Sequence, residues 1–294
     1  MKILLLGGSG QVGGELQRAL APLGELTVTT RASVDLGDPS SIDRVFNAVE
    51  PEVVVNAAAY TAVDAAEAEP ERADAINHRA VARLAELAAA RNCWLVHYSS
   101  DYVFDGHGSQ FFGETHATGP LNTYGRSKLA GEQAIIASGC CHLLVRTSWV
   151  HAPRGKNFVR TVLQLARERA SLRVVADQHG APTSAQLIAD TTAVLLDLAL
   201  SGEAISGTYH LAPEGETTWH EIAQYVVAEA TRLGAPLQLT ADAIEPIASE
   251  DYPTPAIRPH NSRLDTHKLG ATLGQTLPTW RQGVRQTVAA LVAA

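Results

Sequence analysis

Cysteine is scarce in this chain: Cys93, Cys140 and Cys141 are the three in 294 residues. An odd count with two neighbours excludes a disulfide framework, because adjacent cysteines bridge only under strain. Reduced thiols point instead to a reducing, cytoplasmic setting. An excess of positive charge is also lacking. Lys and Arg number 23 against 31 Asp and Glu, for a net charge of -8. That balance excludes a protein built to coat nucleic acid, though not one that binds an anionic small molecule at a local site. Long apolar runs are missing as well. The run at residues 3–6 breaks off into glycines with no small-residue cleavage site, so it reads as a first strand and not as a signal peptide. No stretch approaches the roughly 18 apolar residues of a membrane helix. Among the histidines, His151, His210, His220, His260 and His267 lack zinc-ligand spacing. There is no internal repeat and no low-complexity segment.

What is present is enough apolar material for a substantial core. Hydrophobic residues make up 46% of the chain, which excludes a disordered protein. In the first half, short continuous apolar runs at residues 2–6, 26–30, 53–56, 94–98 and 143–146 read as strands buried on both faces. Helical patterns lie between and after them at 12–21, 40–49, 73–91 and 124–137, the second of these announced by Asp38-Pro39-Ser40 as a cap and first-turn proline. Strand–helix alternation of this kind means right-handed βαβ units and a parallel sheet. The rhythm changes after Thr147. Helical patterns persist at 158–169, 186–200 and 220–233, but prolines and irregular polar segments intervene, the longest at 246–259. The expected fold is α/β: a Rossmann-type doubly wound parallel sheet at 1–147, to which later segments can return, and a smaller mixed α/β substrate domain formed mainly by 148–294.

Gly7, Gly10 and Gly13 form Gly-x-x-Gly-x-x-Gly directly after the first strand and at the start of the first helix. Glycine is required there for a tight turn, for close backbone approach to a pyrophosphate and for hard packing of helix on sheet. The helix N-terminus offers free N–H groups and a positive dipole end to the phosphates. A glycine turn alone would be a weak sign of a cofactor; its strand–turn–helix setting makes it a strong one. Gln11 and Val12 complete this loop. The second strand ends Thr29-Thr30-Arg31, without the acid that a site specific for NAD usually places on the ribose 2′-hydroxyl. Arg31 suits a 2′-phosphate, which points to NADPH with NADH tolerated; the plain alternative is a solvated surface arginine. Asp35 and Leu36 lie several residues further on and are assigned to the adenine region.

Tyr124 and Lys128 form Tyr-x-x-x-Lys, which a helix places on one face. A free tyrosine titrates near pH 10 and is a poor acid at neutrality, whereas a nearby ammonium favours the phenolate. The same lysine can hold a cofactor ribose. By itself the pattern occurs often by chance. Some two dozen residues earlier, however, Ser99-Ser100-Asp101 leaves the carboxyl end of a strand, the edge where ligands bind in open parallel sheets. A serine hydroxyl there can reach both a substrate carbonyl and the tyrosine. His97, inside that strand, reads as a packed or hydrogen-bonded histidine.

Further segments make the pattern specific. They are Asn56-Ala57-Ala58-Ala59-Tyr60-Thr61-Ala62-Val63-Asp64, Tyr98-Ser99-Ser100-Asp101-Tyr102-Val103-Phe104, Arg146-Thr147-Ser148-Trp149-Val150, Asp177-Gln178 with Gly180-Ala181-Pro182-Thr183, and Arg258-Pro259 with Asn261-Ser262-Arg263-Leu264. With these the chain resembles the extended short-chain dehydrogenase/reductase family, and within it the reductases of 4-keto sugar nucleotides. The resemblance implies hydride transfer from NAD(P)H to C4 of a dTDP-linked 4-keto sugar. Tyr124 would be the proton donor, Lys128 its partner and ribose ligand, and Ser100 a contact to the ketone. Asp101 and Trp149 would touch the sugar, Arg258 the diphosphate, and Ala59, Tyr60 and Thr61 would line the cofactor. The alternatives of the same fold are a sugar-nucleotide 4-epimerase, which would keep its nicotinamide cofactor tightly bound, and a 4,6-dehydratase, which usually carries Asp-Glu after a threonine, where this chain has Ser100-Asp101-Tyr102. A non-catalytic reductase-like subunit is opposed by the intact Tyr124/Lys128 pair. Some members of the family are dimers bridged by Mg²⁺ through glutamates. Glu15 matches one such position, but the second is Gln186 and the tail 288–294 has no acidic side chain. The expectation is therefore no metal site, and a monomer or weak homodimer.

Overall fold

The computed structural model describes residues 1–293. Its strands are β1 (Lys2–Leu6), β2 (Glu25–Val28), β3 (Val53–Asn56), β4 (Trp94–Ser100), β5 (His142–Thr147), β6 (Leu172–Val175), β7 (His179–Gly180), β8 (Gly207–Leu211), β9 (Thr217–Thr218) and β10 (Ile244–Ile247). The helices are α1 (Gln11–Leu20), α2 (Pro39–Val49), α3 (Val63–Ala68), α4 (Pro70–Asp74), α5 (Ala80–Arg91), α6 (Thr123–Ser138), α7 (Phe158–Glu168), α8 (Ala185–Leu200), α9 (Trp219–Arg232), α10 (His267–Leu273) and α11 (Trp280–Val292).

Six strands form one parallel sheet in the order β2-β1-β3-β4-β5-β8. Strands buried on both faces need apolar residues at every position, and alternate side chains of this sheet feed two cores. Ile3, Leu5, Val53, Val55, Val96, Leu143 and Val145 pack on one face with Leu16 and Leu20 of α1 and Ile188 and Leu195 of α8. Leu4, Leu6, Val54, Leu95 and Leu144 pack on the other with Phe46 of α2, Leu84 of α5 and Ile135 of α6. Full burial of each such side chain contributes roughly 1.5–3 kcal/mol. The chain runs outward from β1 to β2, then returns to place β3 on the other side of β1. This reversal opens a crevice at the carboxyl ends of β1 and β3.

Residues beyond 147 divide between two places. Helix α8 packs on α1, and β8 pairs with β5 to complete the large sheet. Leu269 of α10 joins that first core, whereas Val159 and Val162 of α7, Ile222 and Val226 of α9, and Trp280 and Val284 of α11 meet in a separate core. Two small two-stranded sheets, β6–β10 and β7–β9, accompany it. The single helix expected at 73–91 is interrupted: a π-helical turn, Ala75–Arg79, separates α4 from α5. Among the described residues, no helix is long and apolar enough to cross a membrane.

Candidate active site

The glycine turn is held by backbone geometry that admits nothing larger. Gly7 has φ 81°, and a Cβ there would lie 2.7 Å from the Ala58 nitrogen. At Gly13 a Cβ would meet the Gly7 carbonyl oxygen at 2.1 Å. Gly10 caps α1 without a side chain, which leaves the first N–H groups of the helix open to an anion. Gln11 accepts a hydrogen bond from Asn157 Nδ2 at 2.7 Å, and Val12 packs toward the sheet. The geometry fits a dinucleotide pyrophosphate, which needs backbone on all sides and no side chain between.

Arg31 is exposed just past β2. Asp35 is exposed too, and its carboxylate accepts the Gly37 N–H at 2.9 Å, whereas Leu36 is buried in the core beneath α2. Ala59 is half-buried and Thr61 exposed on the loop after β3. Between them Tyr60 is buried, its backbone clasped by one side chain: Asn77 Oδ1 accepts from Tyr60 N at 2.9 Å and Asn77 Nδ2 donates to Tyr60 O at 3.0 Å. Asn77 Nδ2 also reaches Ser127 Oγ at 3.0 Å, so the loop is tied to α6. Asn77 sits in the π-helical turn, and such turns recur at functional sites. Nothing in the sequence marks it, since a lone asparagine inside a helical pattern carries no signal.

Helix α6 begins where Asn122 Oδ1 accepts the Gly125 N–H at 2.8 Å. Gly125 lets that first turn press against the strand-end loop, for a Cβ there would be 2.2 Å from the Tyr102 carbonyl oxygen. Tyr124 and Lys128 occupy successive turns. The Tyr124 ring meets the Tyr102 ring edge-on at 5.6 Å. Burial pushes the Tyr124 phenol up to about 12, with the Ser100 hydroxyl hydrogen-bonding it in the opposite direction. The expected lowering of the phenol by Lys128 is thus not what the structure gives. Lys128 Nζ turns instead to the Tyr98 carbonyl at 2.7 Å and to His97 Nε2 at 3.2 Å. Burial also draws Lys128 down to about 8, against the pull of Glu132. Ser100 Oγ donates to Asp101 Oδ1 at 2.9 Å, while Asp101 Oδ2 and Ser99 Oγ are buried without a partner. Burial pushes the Asp101 carboxyl up to about 6.

On the substrate side Trp149 takes a left-handed backbone, φ 49°, and lies flat against Trp219 with ring centroids 3.9 Å apart. Gly180 makes room for it, since a Cβ there would be 2.9 Å from the Trp149 ring. Trp219 is a second aromatic that sequence reading missed; it donates through Nε1 to Gln178 Oε1 at 3.1 Å. Arg258 forks onto Asp64, with Nη1–Oδ1 2.9 Å and Nη2–Oδ2 2.8 Å, and Asn122 Nδ2 donates to the adjacent Ile257 carbonyl at 2.8 Å. Arg263 is spent on Glu216 and Asn261. The fork ties Arg258 to the first turn of α3, a role for Asp64 that no short-range signal announces because its partner lies 194 positions away.

The residues do not fit a bridging Mg²⁺. Glu15 pairs with Arg154 at 3.1 Å, and Gln186 offers only a neutral amide.

The sequence model of the family described as the RmlD substrate binding domain matches residues 1–293. A dTDP-4-dehydrorhamnose reductase of Escherichia coli (strain K12) is 47% identical over 290 residues, covering 97% of this chain and 96% of the relative. One from Burkholderia thailandensis is 47% identical over 288 residues, 97% of each chain. Among solved structures, the Bacillus anthracis dTDP-4-dehydrorhamnose reductase in complex with NADP superposes with a TM-score of 0.88 at 30% identity, over 98% of this chain and 99% of that one. A Thermus thermophilus UDP-glucose 4-epimerase complex with NAD shares the fold, with a TM-score of 0.83 at 20% identity over the whole of both chains.

Proposed function

The chain belongs to the RmlD substrate binding domain family, and on that premise we propose that it reduces the C4 ketone of dTDP-4-dehydrorhamnose to dTDP-L-rhamnose with NADPH. The reading is supported above all by one arrangement: Tyr124, Ser100 and Asp101 gather at the carboxyl end of β4, in the same parallel sheet whose β1 runs into a tight glycine turn.

Gly7, Gly10 and Gly13 with the start of α1 would hold the pyrophosphate, Arg31 the 2′-phosphate and Lys128 the nicotinamide ribose. The chemistry supplied by a bound NADPH is a hydride to the ketone carbon. Ser100 would hydrogen-bond the ketone oxygen. Tyr124, kept protonated by its buried setting at neutral pH, gives its proton to the alkoxide as charge develops there. Asp101 would orient a sugar hydroxyl, and Trp149 would close over the ring from the substrate side. His97 and Tyr98 hold the Lys128 amine so that one further N–H remains for the ribose.

The test is a panel of 4-keto sugar nucleotides assayed by loss of NADPH absorbance, with Tyr124→Phe beside the wild type. The dTDP-linked 4-dehydrorhamnose is expected to turn over, and the variant to lose about 10²-fold or more in kcat with little change in substrate affinity. A folded Tyr124→Phe protein of near-normal activity overturns the assignment.

A further inference from the structure

Three neutral groups stand in line behind Lys128. The Ala58 N–H donates to Asn56 Oδ1 at 3.2 Å. That fixes the Asn56 carboxamide, whose Nδ2 then faces His97 Nδ1 at 3.2 Å. An NH₂ group has only protons to offer, so Nδ1 must accept. A neutral imidazole with an accepting Nδ1 carries its proton on Nε2, the nitrogen that faces Lys128 Nζ at 3.2 Å. His97 and Asn56 are each 1% exposed, so no water is needed to complete the line.

We propose that His97 is a positioning residue which presents Nε2–H to Lys128 and thereby favours the neutral amine of that lysine in the free enzyme. An ammonium has no lone pair to accept this bond. Protonating Lys128 therefore requires the His97 proton to move to Nδ1 and the Asn56 carboxamide to turn over, at the expense of its bond to the Ala58 N–H. The state of the lysine is thus linked to the backbone of the loop after β3, which the proposed function assigns to the cofactor; the inference deepens that reading and rests on it for the role of Lys128.

The surroundings agree. Burial holds the imidazole well below its ordinary range, so an imidazolium does not compete. Glu132, one turn along α6, favours the ammonium, but it is already clasped by Arg146 from β5, Nη2–Oε2 2.6 Å. Tyr124, one turn back, is neutral, and the Tyr98 hydroxyl is engaged with Thr192 at 2.8 Å, leaving only the Tyr98 carbonyl on the lysine.

The experiment is a ¹⁵N measurement of the His97 ring in the free, uniformly labelled protein from about pH 6 to about pH 10, the range that spans a lowered lysine. The His97 signals are assigned through their bonds to its own backbone and checked by their loss in His97→Gln. The expected result is an Nε2–H tautomer at the alkaline end that converts to Nδ1–H as pH falls, with the ring neutral throughout. In Asn56→Asp, a carboxylate accepts from Nδ1–H, so that tautomer should hold at every pH and the conversion should vanish. An Nδ1–H tautomer across the whole range in the wild type, or an Nε2–H tautomer that ignores both pH and Asn56→Asp, overturns the proposal. No turnover is involved, so failure of the substrate panel and failure of this inference are separate results.

Discussion

Arg31 stands exposed beyond the end of β2. If it holds a 2′-phosphate, Arg31→Ala should weaken NADPH binding by about tenfold, the order expected for a hydrogen bond to a charged group, and leave NADH unchanged. Titration of both cofactors decides it: equal losses make Arg31 a bystander. At this scale the sequence was readable where residue type and spacing coincide. Tyr124 and Lys128 lie four apart on a capped helix, and Ser100 follows a strand. His97 could be read only as a packed histidine, because its partners Asn56 and Lys128 lie 41 and 31 positions away. Asn77 and Trp219 escaped for the same reason: each acts through a contact that only the folded chain brings together.

At the scale of elements, the turn from β1 to α1 is the stiffest part of the site. A methyl group at Gly13 meets backbone at 2.1 Å, not a side-chain end that can swing aside. Gly13→Ala should therefore displace α1 or the turn, reduce NADPH affinity by at least about tenfold and lower the thermal midpoint by several degrees, as local strain of one or two kcal/mol would. Gly10→Ala, where the contact is 3.3 Å, should be milder. Wild-type NADPH affinity in Gly13→Ala would show that the turn does not carry the pyrophosphate. Four of the five strands of the first half were legible because both-face burial leaves continuous apolar runs; β2, expected at 26–30 as a strand buried on both faces, is instead an edge strand with no buried residue, because only β1 pairs with it. The break in the helix expected at 73–91 was not, since residues 75–79 keep a helical pattern and their widened turn is set by the bonds that Asn77 makes across to Tyr60 and Ser127.

For the whole molecule, the fork from Arg258 to Asp64 spans from the substrate-side segment to the helix following the cofactor loop. A guanidinium suits a diphosphate equally well. Arg258→Ala should raise KM for the sugar nucleotide and weaken dTDP binding by about tenfold, again the scale of one charge-assisted bond, with NADPH binding intact. If dTDP binds Arg258→Ala as it binds the wild type, the fork is a domain clasp and nothing more. The division of labour along the chain was only partly visible in sequence, because the rhythm changes near Thr147 yet α8 and β8, which lie beyond it, pack into the first core. Residues 185–200 and 207–211 look locally like any helix and strand, and the destination of an element is a long-range property.

That return has a consequence for how the chain is made. Synthesis runs from the N-terminus, so β5 emerges from the ribosome some 60 residues before the β8 that pairs with it. Until then its outer backbone groups form an open edge, and Leu143 and Val145 lack the cover of Tyr209 and Leu211. An unpaired apolar edge of this kind invites strand addition by a neighbouring nascent chain. The cofactor half of the protein is thus first in the sequence but cannot close its sheet until β8 has emerged.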